Sequence, residues 1–155
     1  MQAICVIKGD VQGCVYFKQE SPECPLKITG YLLNVPRGLH GFHVHEFGDT
    51  SNGCTSAGEH FNPTRQNHGA HDACVRHVGD LGNVKSVGCT ALTEIDIIDN
   101  VMSLYGPHNI LGRSLVVHTD QDDLGLTDHP LSKTTGNSGG RLGCGIIGVS
   151  SNVYN

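Results

Sequence analysis

Short runs of β-branched and aromatic residues, separated by turn residues, recur along the whole chain. Such runs, bounded by Gly, Pro, Asn and Asp, are typical of β-strands. No stretch shows a convincing helical period, and no repeat or linker divides the chain. The pattern therefore predicts a single all-β domain over residues 1–155, built as an antiparallel sandwich or barrel. The predicted strands, about eight in number, are residues 3–8, 14–18, 26–34, 39–46, 81–87, 89–98, 113–118 and 141–150.

The alternation of polar and apolar residues is clearest in residues 39–46, which read LHGFHVHE. Successive side chains of a strand point to opposite faces. His43 and His45 therefore share one face, and Phe42 and Val44 share the other. One strand can thus present two imidazoles to a single ion, although an isolated pair of this kind is more often a polar outer face.

Two long segments with little regular pattern, residues 47–80 and 119–140, interrupt the strands. Loops of this length are uncommon in a compact domain unless they carry a function. The first long loop (residues 47–80) holds four good metal donors, namely His60, His68, His77 and Asp80. Together with His43 and His45, and with His118 at the end of a predicted strand, they make seven candidate ligands. Each alone would be unremarkable, and their number is what predicts a metal site.

The count of donors indicates how the ligands are shared. Two four-coordinate metals filled by protein need eight donors, whereas six histidines and Asp80 supply seven residues. One residue must then serve twice, which a histidine can do through its two ring nitrogens. A site made only of imidazoles suits Cu(II), and a site of histidines with a carboxylate suits Zn.

Composition and charge exclude some classes of protein. With 37% apolar and 16% charged residues, the chain is typical of a globular protein rather than a disordered one. A formal charge of -5 argues against a general nucleic-acid binder, but a local field inside a cleft can still attract an anion. The N-terminal MQAICVIKGD resembles no signal peptide and no apolar run is long enough to cross a membrane, so a cytoplasmic location is expected. Most of the seven cysteines are then expected to be reduced.

Five motifs together resemble the copper/zinc superoxide dismutases over nearly the whole chain. They are GFHVHEFGD, HFNPTRQNHG, RHVGDLGNV, GRSLVVHTDQDDLG and GNSGGRLGCGIIG, in the order and spacing of that family. The resemblance implies an eight-stranded antiparallel Greek-key barrel with a long metal-binding loop and a long electrostatic loop. It also implies disproportionation of superoxide to dioxygen and hydrogen peroxide, with one copper ion and one zinc ion per subunit.

The resemblance also assigns roles to residues. It implies that copper is bound by His43, His45, His60 and His118. It implies that zinc is bound by His60, His68, His77 and Asp80, so that the two metals share the imidazole of His60. Asp122 matches the residue that accepts hydrogen bonds from a ligand of each metal. Arg141 matches the guanidinium that guides the anion, and Thr135 matches the residue opposite it. Cys54 and Cys144 match the intrasubunit disulfide.

The partners that the resemblance implies are superoxide, a second copy of the chain and a copper chaperone for metal loading. Dimer contacts are expected from residues 48–49, 110–112 and 147–149. Three positions depart from the family pattern: Glu59 stands where the family has proline, and Pro130 and Leu131 stand where acidic residues are usual. These departures make the steering of superoxide by charge an open question. His71 and Cys74 form a His-x-x-Cys pair that could recruit a metal ion, but they are expected to be surface-loop residues without such a role. His40, His108 and His129 are expected to be structural or solvated.

Two other classes of protein share this type of sequence. A copper-delivery protein would carry a separate metal-transfer domain with a CxxC motif, and the chain has neither. A structural protein that binds zinc alone would lack a copper ligand or Arg141, and all of these residues are present. Both alternatives are therefore disfavoured against the enzyme.

Overall fold

The structure, a computed structural model, describes residues 1–151 and consists of β-strands joined by loops. Two short 3-10 turns lie in the loops, at Thr55–Ala57 and Gly106–His108. No helix of the described part of the chain is long and apolar enough to cross a membrane. The strands are β1 Gln2–Gly9, β2 Gln12–Lys18, β3 Leu26–Leu33, β4 Gly38–His45, β5 Ser51–Cys54, β6 Asp80–Ser86, β7 Thr93–Asp99, β8 Ser114–His118 and β9 Arg141–Val149.

All strands except β5 belong to one antiparallel sheet of eight strands, in the order β6-β4-β8-β9-β1-β2-β3-β7. The strands at its two edges, β6 and β7, follow each other in the chain, so the sheet curls into a nearly closed barrel. β4 pairs with β8 and β1 pairs with β9, and both pairings cross over intervening elements as in a Greek key. The predicted fold class is confirmed.

The barrel interior is filled by the apolar residues that alternate along the strands. On β2, for example, Val15 and Phe17 are buried in the core while Lys18 is exposed. On β4, Phe42 and Val44 belong to the same core, which confirms the predicted alternation. The opposite face of β4 is buried as well, because the long loops cover it. The histidines on that face therefore lie between the barrel and the loops.

The structure corrects two details of the predicted elements. The first long loop contains β5 and a 3-10 turn, Thr55–Ala57, where an irregular segment was expected. These residues are polar or small and carry no apolar alternation, so their sequence gave no strand signal. The strand predicted to start at residue 89 begins at Thr93, because Ala91 N–H donates to Gly88 O, at 3.1 Å, and closes a turn there.

A disulfide joins Cys54 to Cys144 and ties the first long loop to β9. The predicted pairing is thus confirmed. A small apolar cluster of Ala57, Val116 and Cys144 surrounds it on the outside of the barrel. Five cysteines of the described residues remain free, and three of these, Cys24, Cys74 and Cys89, are exposed.

Candidate metal centre

The two neighbouring strands β4 and β8 place three of the predicted ligands side by side. His43 pairs with Val116 and His45 with Ser114, and His118 ends β8 on the same outer face. His60 joins them from the first long loop through an isolated bridge to His45. The strand register is irregular next to His43 and next to His118.

These four histidines form one compact group whose ligand atoms lie within 4.8 Å of one another; its members are His43, His45, His60 and His118. Each ring uses its other nitrogen elsewhere. His43 Nε2 bonds to Asp122, His45 Nδ1 donates to Gly58 O at 2.9 Å, and His118 Nδ1 lies 3.3 Å from Gly139 O. Those bonds leave His43 Nδ1 and the Nε2 atoms of the other rings directed inward.

The inward nitrogens carry lone pairs that face one another. His45 Nε2 and His118 Nε2 are 3.1 Å apart, although the other nitrogen of each ring already faces a carbonyl. His43 Nδ1 and His60 Nε2 are buried and have no hydrogen-bond partner. Buried polar atoms without partners are rare and costly, and a cation among these nitrogens would satisfy all of them. Four imidazoles fit copper well.

A second group, made of three histidines and a carboxylate, lies on the other side of His60; its members are His60, His68, His77 and Asp80. Asp80 Oδ1 is 2.9 Å from His60 Nδ1, 3.0 Å from His68 Nδ1 and 3.2 Å from His77 Nδ1. Asp80 Oδ2 is held by the N–H groups of Gly69 and His77. All four members are buried, and three nitrogens and one oxygen fit the donors of a zinc site.

His60 belongs to both groups, with Nδ1 facing Asp80 and Nε2 facing the other histidines. The structure therefore places the ring that was predicted to be shared between the two groups. Asp122 makes a second link. Its fully buried carboxylate accepts from His43 Nε2 and from His68 Nε2, both at 2.7 Å. Carboxylates in such positions fix the orientation of ligand rings and raise their basicity.

Two residues that hold Asp122 in place were not identified from the sequence. Asn83 on β6 donates to Asp122 O at 2.9 Å and accepts from Asp122 N–H at 2.7 Å. Gly136 has a φ of 67°, and a side chain there would collide with Asp122 and His68. The motifs quoted for the family contain both residues, but only the three-dimensional contacts reveal this role.

Burial and mutual repulsion keep the first group of histidines neutral. Burial, with the neighbouring His60 and His118 adding to it, lowers the pKa values of His43 and His45 well below the usual range. Burial likewise lowers the pKa of His118 to about 3. Because a neutral imidazole is the form that binds metal, these rings are ready to act as ligands near neutral pH.

The second group has the opposite electrostatic character because it contains a carboxylate. Burial raises the pKa of Asp80, but hydrogen bonds from His60, His68 and His77 outweigh it and hold that pKa far below the usual range. Burial lowers the pKa of His68, but Asp122 and Asp80 outweigh it and raise the value to about 9. The group thus attracts positive charge, and a bound cation would displace the proton of His68.

Arg141 begins β9 beside the disulfide and is partly exposed. Its guanidinium donates to the carbonyls of Cys54 and Gly58, both at 2.7 Å. The first long loop therefore fixes its position. Thr135 lies in the second long loop (residues 119–140), where its hydroxyl accepts from Asn137 N–H at 3.2 Å. Its predicted place opposite Arg141 stays a prediction.

The structure also shows where the remaining predicted residues lie. His40 is buried, and its ring nitrogens lie 2.9 Å from the carbonyls of His118 and Pro36, a structural role. His108 bonds to Val101 O and His129 is exposed. Cys74 is exposed and joins neither group of ligands found among residues 1–151.

A barrel that carries two buried groups of donors joined by one imidazole defines a metalloprotein with a dinuclear site. Comparison with known proteins identifies which one. The family model for copper/zinc superoxide dismutase (SODC) matches residues 11–147, and the chain belongs to this family. Its reaction is the disproportionation of superoxide to dioxygen and hydrogen peroxide, and its cofactors are copper and zinc.

Two viral relatives match over almost their full length. One, from Autographa californica nuclear polyhedrosis virus, is 78% identical over 149 residues, which cover 96% of this chain and 99% of the relative. The other, from Orgyia pseudotsugata multicapsid polyhedrosis virus, is 76% identical over 152 residues, which cover 98% of this chain and the whole relative. Both bear the name "Putative superoxide dismutase (Cu-Zn)".

Proposed function

We propose that the two groups of donors divide the metals between them. Copper is held by the four imidazoles of His43, His45, His60 and His118, and zinc by His60, His68, His77 and Asp80. The observation that carries this assignment is the set of buried nitrogens without partners, which point into the first group from His43 and His60. Asp80 favours the redox-inert divalent zinc in the second group.

The residues around the copper group prepare it for an anion. Copper supplies the one-electron chemistry when it is bound, and zinc has none. Arg141 attracts and hydrogen-bonds superoxide beside the copper group. His60 Nε2 is the buried atom of this ring that can take up and return a proton when it does not bind copper, while Nδ1 stays on the side of Asp80. Asp122 keeps His43 in the correct orientation throughout.

Charge steering of superoxide is weaker here than the family pattern implies. Glu59 follows Gly58, whose carbonyl accepts a hydrogen bond from Arg141. The carboxylate of Glu59 acts on Arg141 through its negative charge. Glu59 also lines a cavity of about 460 Å³ with His60 and Lys133. The rate of superoxide consumption measured against ionic strength tests this proposal. A shallow dependence is expected, and a steep fall of the rate with added salt would contradict it.

We also propose a homodimer through the outer faces of β1 and β9. Val6, Ile146 and Val149 are 47%, 44% and 72% exposed there, beside a groove of about 1050 Å³. Gly48 packs directly against Gly112, so two of the predicted contact segments meet at this face.

Two of the residues expected to make dimer contacts are not available for them. The side chains of Ile110 and Ile147 are fully buried in the barrel core, so the exposed neighbour Ile146 takes that role. Ile146→Asp should give a monomer by sedimentation analysis, and Ile98→Asp, on the exposed side of β7, should leave the dimer intact. A dimer that survives Ile146→Asp would refute this face.

The remaining proposals concern the chain as a whole. We propose that the chain forms one domain, since the sheet uses strands from Gln2 to Val149. Of the range 1–155 predicted from the sequence, residues 152–155 lie outside the described residues. Five free cysteines support a reducing, cytoplasmic location. The four copper ligands are at most 5% exposed, which supports loading by a copper chaperone rather than by free diffusion.

One experiment tests the assignment of the metals as a whole. The purified protein is analysed for copper and zinc, and its consumption of superoxide is measured on the same preparation. One copper and one zinc per chain, with fast consumption, are expected. Zinc alone with no activity would favour the structural alternative and overturn the copper assignment.

A further inference from the structure

His71 lies in the first long loop between His68 and His77, and the sequence predicts it to be a plain surface residue. Its side chain is only 33% exposed, and its Nε2 lies 3.2 Å from Oδ2 of Asp99. Asp99 ends β7 and is fully buried. A side chain of the loop therefore reaches a carboxylate inside the barrel wall.

Asp99 is a rigid anchor for this contact. Its Oδ1 accepts from the N–H groups of Val101 and Met102, at 2.7 and 2.5 Å, and its Oδ2 accepts from Arg76 Nη1 at 2.8 Å. His71 supplies the fourth donor, which completes the capacity of a carboxylate of about four bonds. Burial raises the pKa of Asp99, but the hydrogen bond from His71 and the charge of Arg76 outweigh it and lower that pKa.

His71 and Arg76 are also linked by a hydrogen bond. Arg76 Nη1 donates to His71 O at 2.5 Å, and Arg76 Nε donates to His77 O at 3.0 Å. The two residues thus connect the chain segment that follows His68 with the chain segment that precedes His77. The Cβ of His71 lies 3.9 Å from the position that a Cβ on Gly82 would occupy, just beyond Asp80 on β6. The segments that carry His68, His77 and Asp80 meet at this point.

We propose that His71 is a positioning residue for the zinc cage. By donating Nε2–H to Asp99, His71 fixes the two chain segments that carry His68 and His77. His71 itself does not contact the metal. The proposal rests on the zinc assignment given above. It predicts that zinc binding depends on the hydrogen-bond donor of His71, and that copper binding does not.

Three variants of the fully metallated protein separate this role from a general effect on the loop. His71→Leu keeps the bulk of the side chain but removes the donor. His71→Gln restores an N–H group close to the position of Nε2. Cys74→Ser changes an exposed residue of the same segment and serves as the control. Zinc affinity is measured by competition with a chromogenic zinc chelator, and copper content is measured on the same samples.

His71→Leu should weaken zinc binding about threefold to tenfold, below the 10–100-fold loss seen when a residue bonded directly to a ligand is removed. Copper content should not change, and His71→Gln and Cys74→Ser should bind zinc as the unmodified protein does. In an Asp99→Asn background, His71→Leu should add little, because both changes remove the same hydrogen bond.

Four results would overturn the role of His71. They are unchanged zinc affinity in His71→Leu, an equal loss in Cys74→Ser, no recovery in His71→Gln, and a full additional loss in the Asp99→Asn background. An unmodified protein that binds no zinc would refute the zinc assignment itself, and the role of His71 with it. The two failures are therefore distinguishable.

Discussion

The disulfide between Cys54 and Cys144 allows a quantitative prediction about stability. The two cysteines are 90 residues apart in the chain. In the chain-entropy model, a cross-link of this span lowers the conformational entropy of the unfolded chain by about 15 cal/mol/K. This corresponds to about 4.6 kcal/mol of stabilisation at 25 °C. The double variant Cys54→Ser/Cys144→Ala should therefore lose roughly 4 to 5 kcal/mol of unfolding free energy. That is a large part of the unfolding free energy of a typical domain, which is roughly 5–15 kcal/mol.

Urea unfolding followed by circular dichroism measures this loss, since the chain has no Trp to report by fluorescence. Both proteins are compared at saturating metal and again after chelation, because bound metal adds its own stabilisation. The control variant Cys24→Ser/Cys89→Ser changes two exposed free cysteines and should stay within about 0.5 kcal/mol of the unmodified protein. A loss below about 1.5 kcal/mol in the disulfide variant would refute the entropic argument.

The same variant should also lose activity, because the disulfide holds the loop that positions Arg141. The guanidinium donates to Cys54 O and Gly58 O, so it depends on the backbone that the disulfide anchors. Superoxide consumption per bound copper should fall while copper content is retained. Full activity in the variant would show that the loop keeps its place without the disulfide.

Four further substitutions test the site. His118→Ala should abolish superoxide consumption and leave zinc bound, and loss of zinc alongside copper would show that the division of ligands is wrong. Arg141→Glu should slow the reaction about tenfold or more without unfolding the protein, because it reverses the charge that attracts the anion. Asp122→Asn retains one acceptor oxygen for His43 and His68, so zinc affinity should fall about 10–100-fold by chelator competition. Glu59→Gln should raise the rate about twofold to fourfold at low ionic strength, because it removes one negative charge that repels the anion, and the gain should vanish in high salt.

Much of the fold could be predicted from the sequence because strand alternation is a local property. Phe42 and Val44 face the core and His43 and His45 face the loops, as the period of two requires. β5 was missed because its residues, Ser51–Cys54, carry no apolar pattern. The start of β7 was placed too early because the turn before it contains apolar residues that are not part of a strand.

The donors of the site could be predicted, whereas the residues that support them could not. Histidines in long loops are conspicuous in a sequence, and their number alone indicated a shared ligand. The contact of Asn83 with Asp122, 39 residues away, depends on how two distant segments pack. The contact of His71 with Asp99 has the same origin, and a single sequence contains no signal for either pairing.

The carboxylate of Asp122 has a thermodynamic consequence for how the protein acquires its two metals. Because it bonds to one ring of each group, and because His60 belongs to both, filling one site must change the free energy of filling the other. Such coupling is reciprocal: whatever factor zinc contributes to copper affinity, copper contributes to zinc affinity. The order of metal uptake in the cell is therefore a property of metal supply and of rates, since the doubly loaded state has the same free energy by either route.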